Sequence, residues 1–93
     1  MIKIKRVGAF DKMLESLCEK DEGLIDKVEK AIIRFQKNPS DTRLRNHKLL
    51  RRLTGKWAFS ITAEFRIVYE WQGKNTVRFI AIGVHSQVYN HRS

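Results

Sequence analysis

The stretch WAFSITAEFRIVYEW, residues 57–71, decides the fold. Every odd position in it is apolar: Trp57, Phe59, Ile61, Ala63, Phe65, Ile67, Tyr69 and Trp71. That is the period of a strand and not of a helix. The even positions carry Ser60, Thr62, Glu64, Arg66 and Glu70, with Ala58 and Val68 as exceptions, so one face reads as core and the other as wet. Arg66 therefore points away from the main core. The run is too long for one strand of about 5–6 residues, which places a hairpin turn near residues 62–65. If the odd positions of both arms share the core face, cross-strand partners sum to an even number, pairing Ile61 with Ile67 and Phe59 with Tyr69. The loop must then hold an odd number of residues or contain a bulge. A third strand follows Gln72-Gly73-Lys74-Asn75 as TVRFIAIG, residues 76–83, and its apolar run from Phe79 to Ile82 suits a strand covered on both faces.

Working outward toward the N-terminus, Ile2-Lys3-Ile4-Lys5 alternates and predicts a first strand ending near Gly8. The period then changes. Phe10, Met13, Leu14, Leu17 and Cys18 fall on one stripe of an amphipathic helix, and Leu24, Val28, Ala31, Ile32 and Phe35 form a second. Asp21-Glu22-Gly23 separates the two, and Asn38-Pro39 stops the second, because proline cannot continue the helical ladder. So short a link predicts an antiparallel helix hairpin, and the odd face of the strands is the surface available to cover its stripes. The fold class is α+β: an N-terminal strand, two helices, and a three-stranded antiparallel meander packed on them. Ninety-three residues make one domain, 1–93.

Residues 40–55, SDTRLRNHKLLRRLTG, are the least regular segment. Between Arg43 and Lys56 lie six Lys/Arg together with His47 and no carboxylate. Leu44, Leu49, Leu50 and Leu53 can tack this basic segment to the core. Its charge dominates the chain's asymmetry. Residues 1–41 hold nine Lys/Arg against eight Asp/Glu, whereas residues 42–93 hold ten against Glu64 and Glu70 alone, within a total net charge of +9. Such a surface attracts polyanions. No apolar run approaches the ~20 residues that span a bilayer, and no signal-peptide core follows the first residues, so a cytoplasmic location and no membrane partner are expected. The single Cys18 rules out an internal disulfide and sits on a helix stripe, where it reads as a packed small hydrophobe.

Phosphate-binding glycine loops, serine nucleophile elbows and Cys/His metal clusters are missing from the sequence, so neither a metal nor another cofactor is expected. His47, His85 and His91 lack the cysteines or clustered carboxylates that would make them metal ligands. What remains is a set of cations and imidazoles: His47 and Lys48 before the meander, Lys56 where it begins, Arg66 on its wet face, and His85 with Tyr89 just after it. Cleaving RNA without a metal needs a base for the 2′-hydroxyl, cations for the phosphorane charge and an acid for the 5′-oxygen. Histidine and lysine can supply the acid and base, and arginine the fork that fits a phosphate. Glu64 is a further candidate base. The same residues also fit a blander reading in which Arg66 pairs with Glu64 or Glu70 and the histidines are turn residues. Arg43, Arg45, Arg51 and Arg52, with Lys56, read as charges that track an RNA backbone. Composition alone gives a small basic α+β domain that binds nucleic acid or an acidic protein.

Four pieces, in order, resemble the RelE/ParE superfamily of bacterial toxin–antitoxin systems: Asn46-His47-Lys48-Leu49, Leu53-Thr54-Gly55-Lys56-Trp57, Glu64-Phe65-Arg66-Ile67-Val68-Tyr69 and Ile82-Gly83-Val84-His85-Ser86-Gln87-Val88-Tyr89. The resemblance covers nearly the whole chain. It implies a ribosome-dependent mRNA endonuclease held inactive by a cognate acidic antitoxin, with the ribosome and mRNA as partners and operator DNA met through the antitoxin. Arg66 lies where YoeB-type members carry a catalytic arginine. His47 is similar to a histidine of YafQ-type members, and His85 to their C-terminal one. Lys48 and Lys56 fall where RelE-type members place lysines, and Tyr89 occupies a C-terminal aromatic position. The sequence departs from the YafQ pattern at Ser60, where a second histidine stands, and at Glu64, where an aspartate stands. By this resemblance Arg66 stabilises the phosphate, His85 is the general acid or a phosphate contact, His47 or Lys48 is the base, and Tyr89 positions a base or phosphate. The same superfamily implies an alternative, a ParE-like inhibitor of DNA gyrase that cleaves nothing. A member that only binds its partner is a third.

Overall fold

The parity read from residues 57–71 is kept in the structure, a computed structural model that describes residues 1–50 and 53–84. The run divides into β3, Trp57–Ser60, and β4, Phe65–Trp71. Trp57 pairs with Tyr69, Phe59 with Ile67 and Ser60 with Arg66. The partner sum is even, as the shared core face requires, but the register lies two residues from the expected pairing of Ile61 with Ile67. The reason is the turn. Ile61 N–H donates to the Phe65 carbonyl at 2.9 Å, leaving Thr62-Ala63-Glu64 as a three-residue loop. The Thr62 hydroxyl accepts from the backbone N–H groups of Glu64 at 3.2 Å and Phe65 at 3.1 Å, which ties that tight loop together.

β5, Thr76–Val84, completes the meander. Val68 pairs with Ala81 and Tyr69 with Phe79, so Ile80 is an extra residue in the ladder, a bulge. The bulge explains the apolar run. It lets Phe79 and Ile82 both enter the main core while Ala81 turns to the opposite face. Two further strands extend the meander to a five-stranded sheet of order β1-β5-β4-β3-β2. β1, Lys3–Arg6, lies parallel to β5 at one edge, and β2, His47–Lys48, antiparallel to β3 at the other. The second of these was not anticipated in the basic segment.

Helices α1, Gly8–Lys20, and α2, Leu24–Lys37, cover the odd face. Phe10 of α1 and Leu24, Val28, Ala31 and Phe35 of α2 are buried together with Phe59, Ile67, Tyr69, Val77, Phe79 and Ile82. Phe35 is the hub: its ring stacks on Phe59 at 4.6 Å and meets Tyr69 edge-on at 4.9 Å. The helices stop where the sequence says they should. Asp21 closes α1 through its N–H to the Leu17 carbonyl, and its carboxylate takes the Gly23 N–H at 3.1 Å to start α2. Asn38 closes α2 on the Arg34 carbonyl just before Pro39. Cys18 is half-buried, and burial followed by the Asp21 charge raises its thiol pKa, which suits an inert packing residue. No helix among the described residues is long and apolar enough to cross a membrane.

Candidate functional site

The face of the sheet opposite the helices carries Arg66 and His47, and the basic segment packs on it. Leu49 and Leu53 pack there against Ala58, Val68 and Ala81, a second small core. This explains why Ala58 and Val68 break the polar alternation: the leucines cover them. Leu44 anchors the start of the segment in the main core, while Leu50 is 79% exposed.

Three rows of side chains run across this back face. In the first, Glu70 lies between two cations, accepting from Lys56 at 2.9 Å and also from Arg78, its cross-strand partner. The Lys56 hydrogen bond, more than the weaker contribution of Arg78, holds the Glu70 carboxyl below its ordinary pKa against the opposing effect of burial. Lys56, read from sequence as an RNA contact, is thus occupied by a carboxylate. The second row is the apolar strip of Ala81, Val68 and Ala58, reaching His47, which pairs with Ala58 at the sheet edge. The third holds Gly83, Arg66 and Ser60.

Arg66 faces away from the main core, as its parity predicts. Neither Glu64 nor Glu70 pairs with it; among the described residues it makes no salt bridge, and its one side-chain hydrogen bond is a long 3.4 Å donation from Nη1 to the Ala63 carbonyl. The guanidinium is left available for an anion. His47 shares its face. Two strands and two residues of offset separate them, about 12 Å between Cα atoms from ideal strand spacings. An arginine and a histidine can approach one phosphodiester group from that distance.

His47 is exposed and held by its own segment. Its Nδ1–H donates to the Arg45 carbonyl at 2.8 Å, since a carbonyl can only accept, and in the neutral ring this leaves the lone pair on Nε2. The neighbouring Asn46 is a positioning residue that sequence reading missed. Its Oδ1 accepts from the buried Tyr69 hydroxyl at 2.7 Å and its Nδ2 donates to the Pro39 carbonyl at 3.1 Å, so the residue beside His47 is tied to the core. Burial pushes the Tyr69 phenol up to about 12, with the Asn46 hydrogen bond opposing. The signal in sequence was a tyrosine at a core position, which needs a polar partner.

The remaining candidates distribute unevenly. Lys48 pairs with Trp57 and so faces the helix side of the sheet, its Nζ 5.4 Å from the Trp57 ring centre in a cation–π contact. It does not share the face of Arg66. Arg43 forks onto Asp41 with hydrogen bonds of 3.0 and 2.7 Å. Those bonds, with a backbone N–H from the same residue, lower the Asp41 carboxyl to about 2. Arg45 is exposed, makes no salt bridge among the described residues, and has φ of 50°. Glu64 is exposed in the β3–β4 turn. Arg51, Arg52, His85, Tyr89 and His91 lie outside the described residues.

No protein-family model matches the sequence, and no curated protein matches it. Solved structures do. YafQ from E. coli strain BL21(DE3) superposes with a TM-score of 0.79 at 18% identity, covering 96% of this chain and 99% of that one. A YoeB/ParE toxin from Agrobacterium tumefaciens gives 0.76 at 22% identity, covering 90% and 99%. YafQ within the E. coli DinJ-YafQ complex gives 0.69 at 18% identity, covering 96% and 99%. The chain shares the fold of these toxins over nearly its whole length, and at such identities the likeness is one of architecture.

Proposed function

We propose that this protein is the toxin of a type II toxin–antitoxin system and acts as a ribosome-dependent mRNA endonuclease. The observation that carries the reading is Arg66: an arginine on the open face of the sheet, in a basic neighbourhood, with no carboxylate partner among the described residues and a histidine on the same face. Arg78 on the same strand pair, by contrast, is taken up by Glu70. The likeness to YafQ and YoeB structures supports the toxin part of the reading, and the E. coli DinJ-YafQ toxin-antitoxin complex supports an antitoxin as a partner; an acidic segment of it would complement these cations.

The chemistry is in-line transfer within one strand. The 2′-oxygen forms a bond to phosphorus while the 5′-oxygen leaves, giving a 2′,3′-cyclic phosphate and a 5′-hydroxyl. His47 Nε2 takes the 2′-hydroxyl proton, a role in which it displaces Lys48, whose amine lies against Trp57 on the other face. Arg66 stabilises the charge gathering on the phosphate oxygens. The proton for the 5′-oxygen is assigned to His85, two residues beyond the Gly83 that pairs with Arg66, and Tyr89 to positioning the strand. The ribosome presents the message in an extended form and the basic segment follows its backbone.

Single-turnover cleavage of a message on programmed ribosomes tests this. Purified wild-type chain should cut within the open codon, and a single 2′-deoxy substitution at the cut nucleotide should abolish the product. Cleavage that survives the 2′-deoxy substitution would refute the mechanism. Growth arrest with messages intact and DNA damage induced would replace it with the gyrase reading.

A further inference from the structure

Beside Arg66 lies a cavity of about 210 Å³ lined by Arg43, Arg45, Ser60, Ile61, Thr62 and Ala63. It opens between the basic segment and the β3–β4 turn. Its groups are nearly all donors. The Arg45 guanidinium has no carboxylate partner among the described residues. Arg43 is turned to Asp41 through Nε and Nη2, which leaves Nη1. Thr62 Oγ1 already accepts two backbone N–H groups, so what it has left to offer is its O–H. The half-buried Ser60 hydroxyl makes no hydrogen bond among the described residues. The Ala63 carbonyl, the acceptor at the rim, is taken by Arg66. A concave site with the unpaired Arg45 guanidinium, the spare Nη1 of Arg43, two hydroxyls and no carboxylate in its lining fits a phosphate.

The backbone of Arg45 supports the same conclusion. Among the described residues it is the only non-glycine with positive φ, at 50°. Such a conformation costs an ordinary side chain about 1 kcal/mol or more and is kept where the surroundings hold it. Here it follows the short 3-10 turn Thr42–Leu44 and sets the carbonyl that receives the His47 ring. One residue therefore orients His47 with its main chain and lines the cavity with its side chain.

We propose that this cavity is a second phosphate subsite, which seats the phosphodiester adjacent to the one held by Arg66 on the same message strand. The proposal rests on the RNA-cleavage reading above and deepens it. Ser60 pairs directly with Arg66 across β3 and β4, so the two sites are contiguous. Their contiguity fixes the strand in register over His47.

The test is a cycle between one side chain and one phosphate on programmed ribosomes. Messages carry a single neutral methylphosphonate at each linkage flanking the cut, and they are cleaved by wild type and by Arg45→Gly. Glycine adopts positive φ without strain, so the variant is compatible with the backbone that orients His47 while it removes the Arg45 side chain. The expected result is that one neutral linkage slows wild type roughly tenfold or more, that Arg45→Gly slows the native message by a similar factor, and that the two together are no slower than either. Multiplying effects at every linkage would overturn the subsite and assign Arg45 to ribosomal RNA or another contact. Should Arg45→Gly prove unfolded by thermal denaturation, Ser60→Ala is carried through the same cycle, with the same coupling expected and the same multiplicative result overturning it. Wild type that cuts no message would overturn the parent reading together with the subsite, whereas efficient cutting without coupling overturns the subsite alone.

Discussion

Arg66 and Tyr69 sit three residues apart on β4 and show how one strand serves two purposes through parity. Arg66 faces the open side without a carboxylate, so Arg66→Ala removes no native ion pair and should change stability by less than about 0.5 kcal/mol. Its effect on cleavage should be about 10²–10³-fold, the scale for losing a transition-state donor. Thermal denaturation beside single-turnover rates would separate the two. Tyr69 faces the core, fully buried, with its hydroxyl on Asn46. Its pKa is raised from 10.0 to about 12 by burial. The unfolded chain therefore releases the phenolic proton first as pH rises. The sign follows: Tyr69 leaves stability intact below about pH 10 and lowers it progressively between 10 and about 12. Tyr69→Phe should remove that slope, read as the difference in unfolding free energy between the two proteins at pH 8 and pH 11. The substitution should also loosen Asn46 at neutral pH, at about 1–2 kcal/mol for the lost buried hydrogen bond.

At the scale of elements, the β3–β4 turn and the basic segment decide the site. Thr62→Val keeps the shape of the side chain but removes the oxygen that accepts two N–H groups, so it should destabilise by roughly 1–2 kcal/mol and weaken amide exchange protection at Phe65. The reading of residues 57–71 placed this turn but not its register. Pairing Ile61 with Ile67 buries the same odd face as the observed pairing, so hydrophobic pattern cannot distinguish them; the Thr62 hydroxyl does. β2 escaped notice for a different reason. Two residues in a charged segment carry no periodic signal, although Ala58 and Val68 on the polar face required a cover that Leu49 and Leu53 provide. The ion pairs of Lys56 with Glu70 and Arg43 with Asp41 depend on register and on a local turn, so composition showed the cations but not which of them are occupied. Arg66 was legible because strand parity alone sets its face.

The whole molecule presents a helix-covered side and a sheet side crossed by the cationic segment, with a net charge of +9. Charge of this kind draws the protein to polyanions from a distance, so the proposed association with ribosomes should weaken steeply as salt rises. Arg43→Ala, whose guanidinium already has Asp41, should flatten that dependence less than Arg45→Ala, whose guanidinium has no carboxylate among the described residues. Sedimentation with ribosomes over a salt series would show the difference. The proposed function turns on Arg66, which on the open sheet face stabilises the phosphate as messages under translation are cut. Mapping of message 5′ ends in cells, a few minutes after inducing this chain alone and beside Arg66→Ala, tests it most directly. New ends within translated codons that vanish in the Arg66→Ala cells are the predicted result; growth arrest with unchanged ends, or new ends persisting with a folded Arg66→Ala protein, would contradict it.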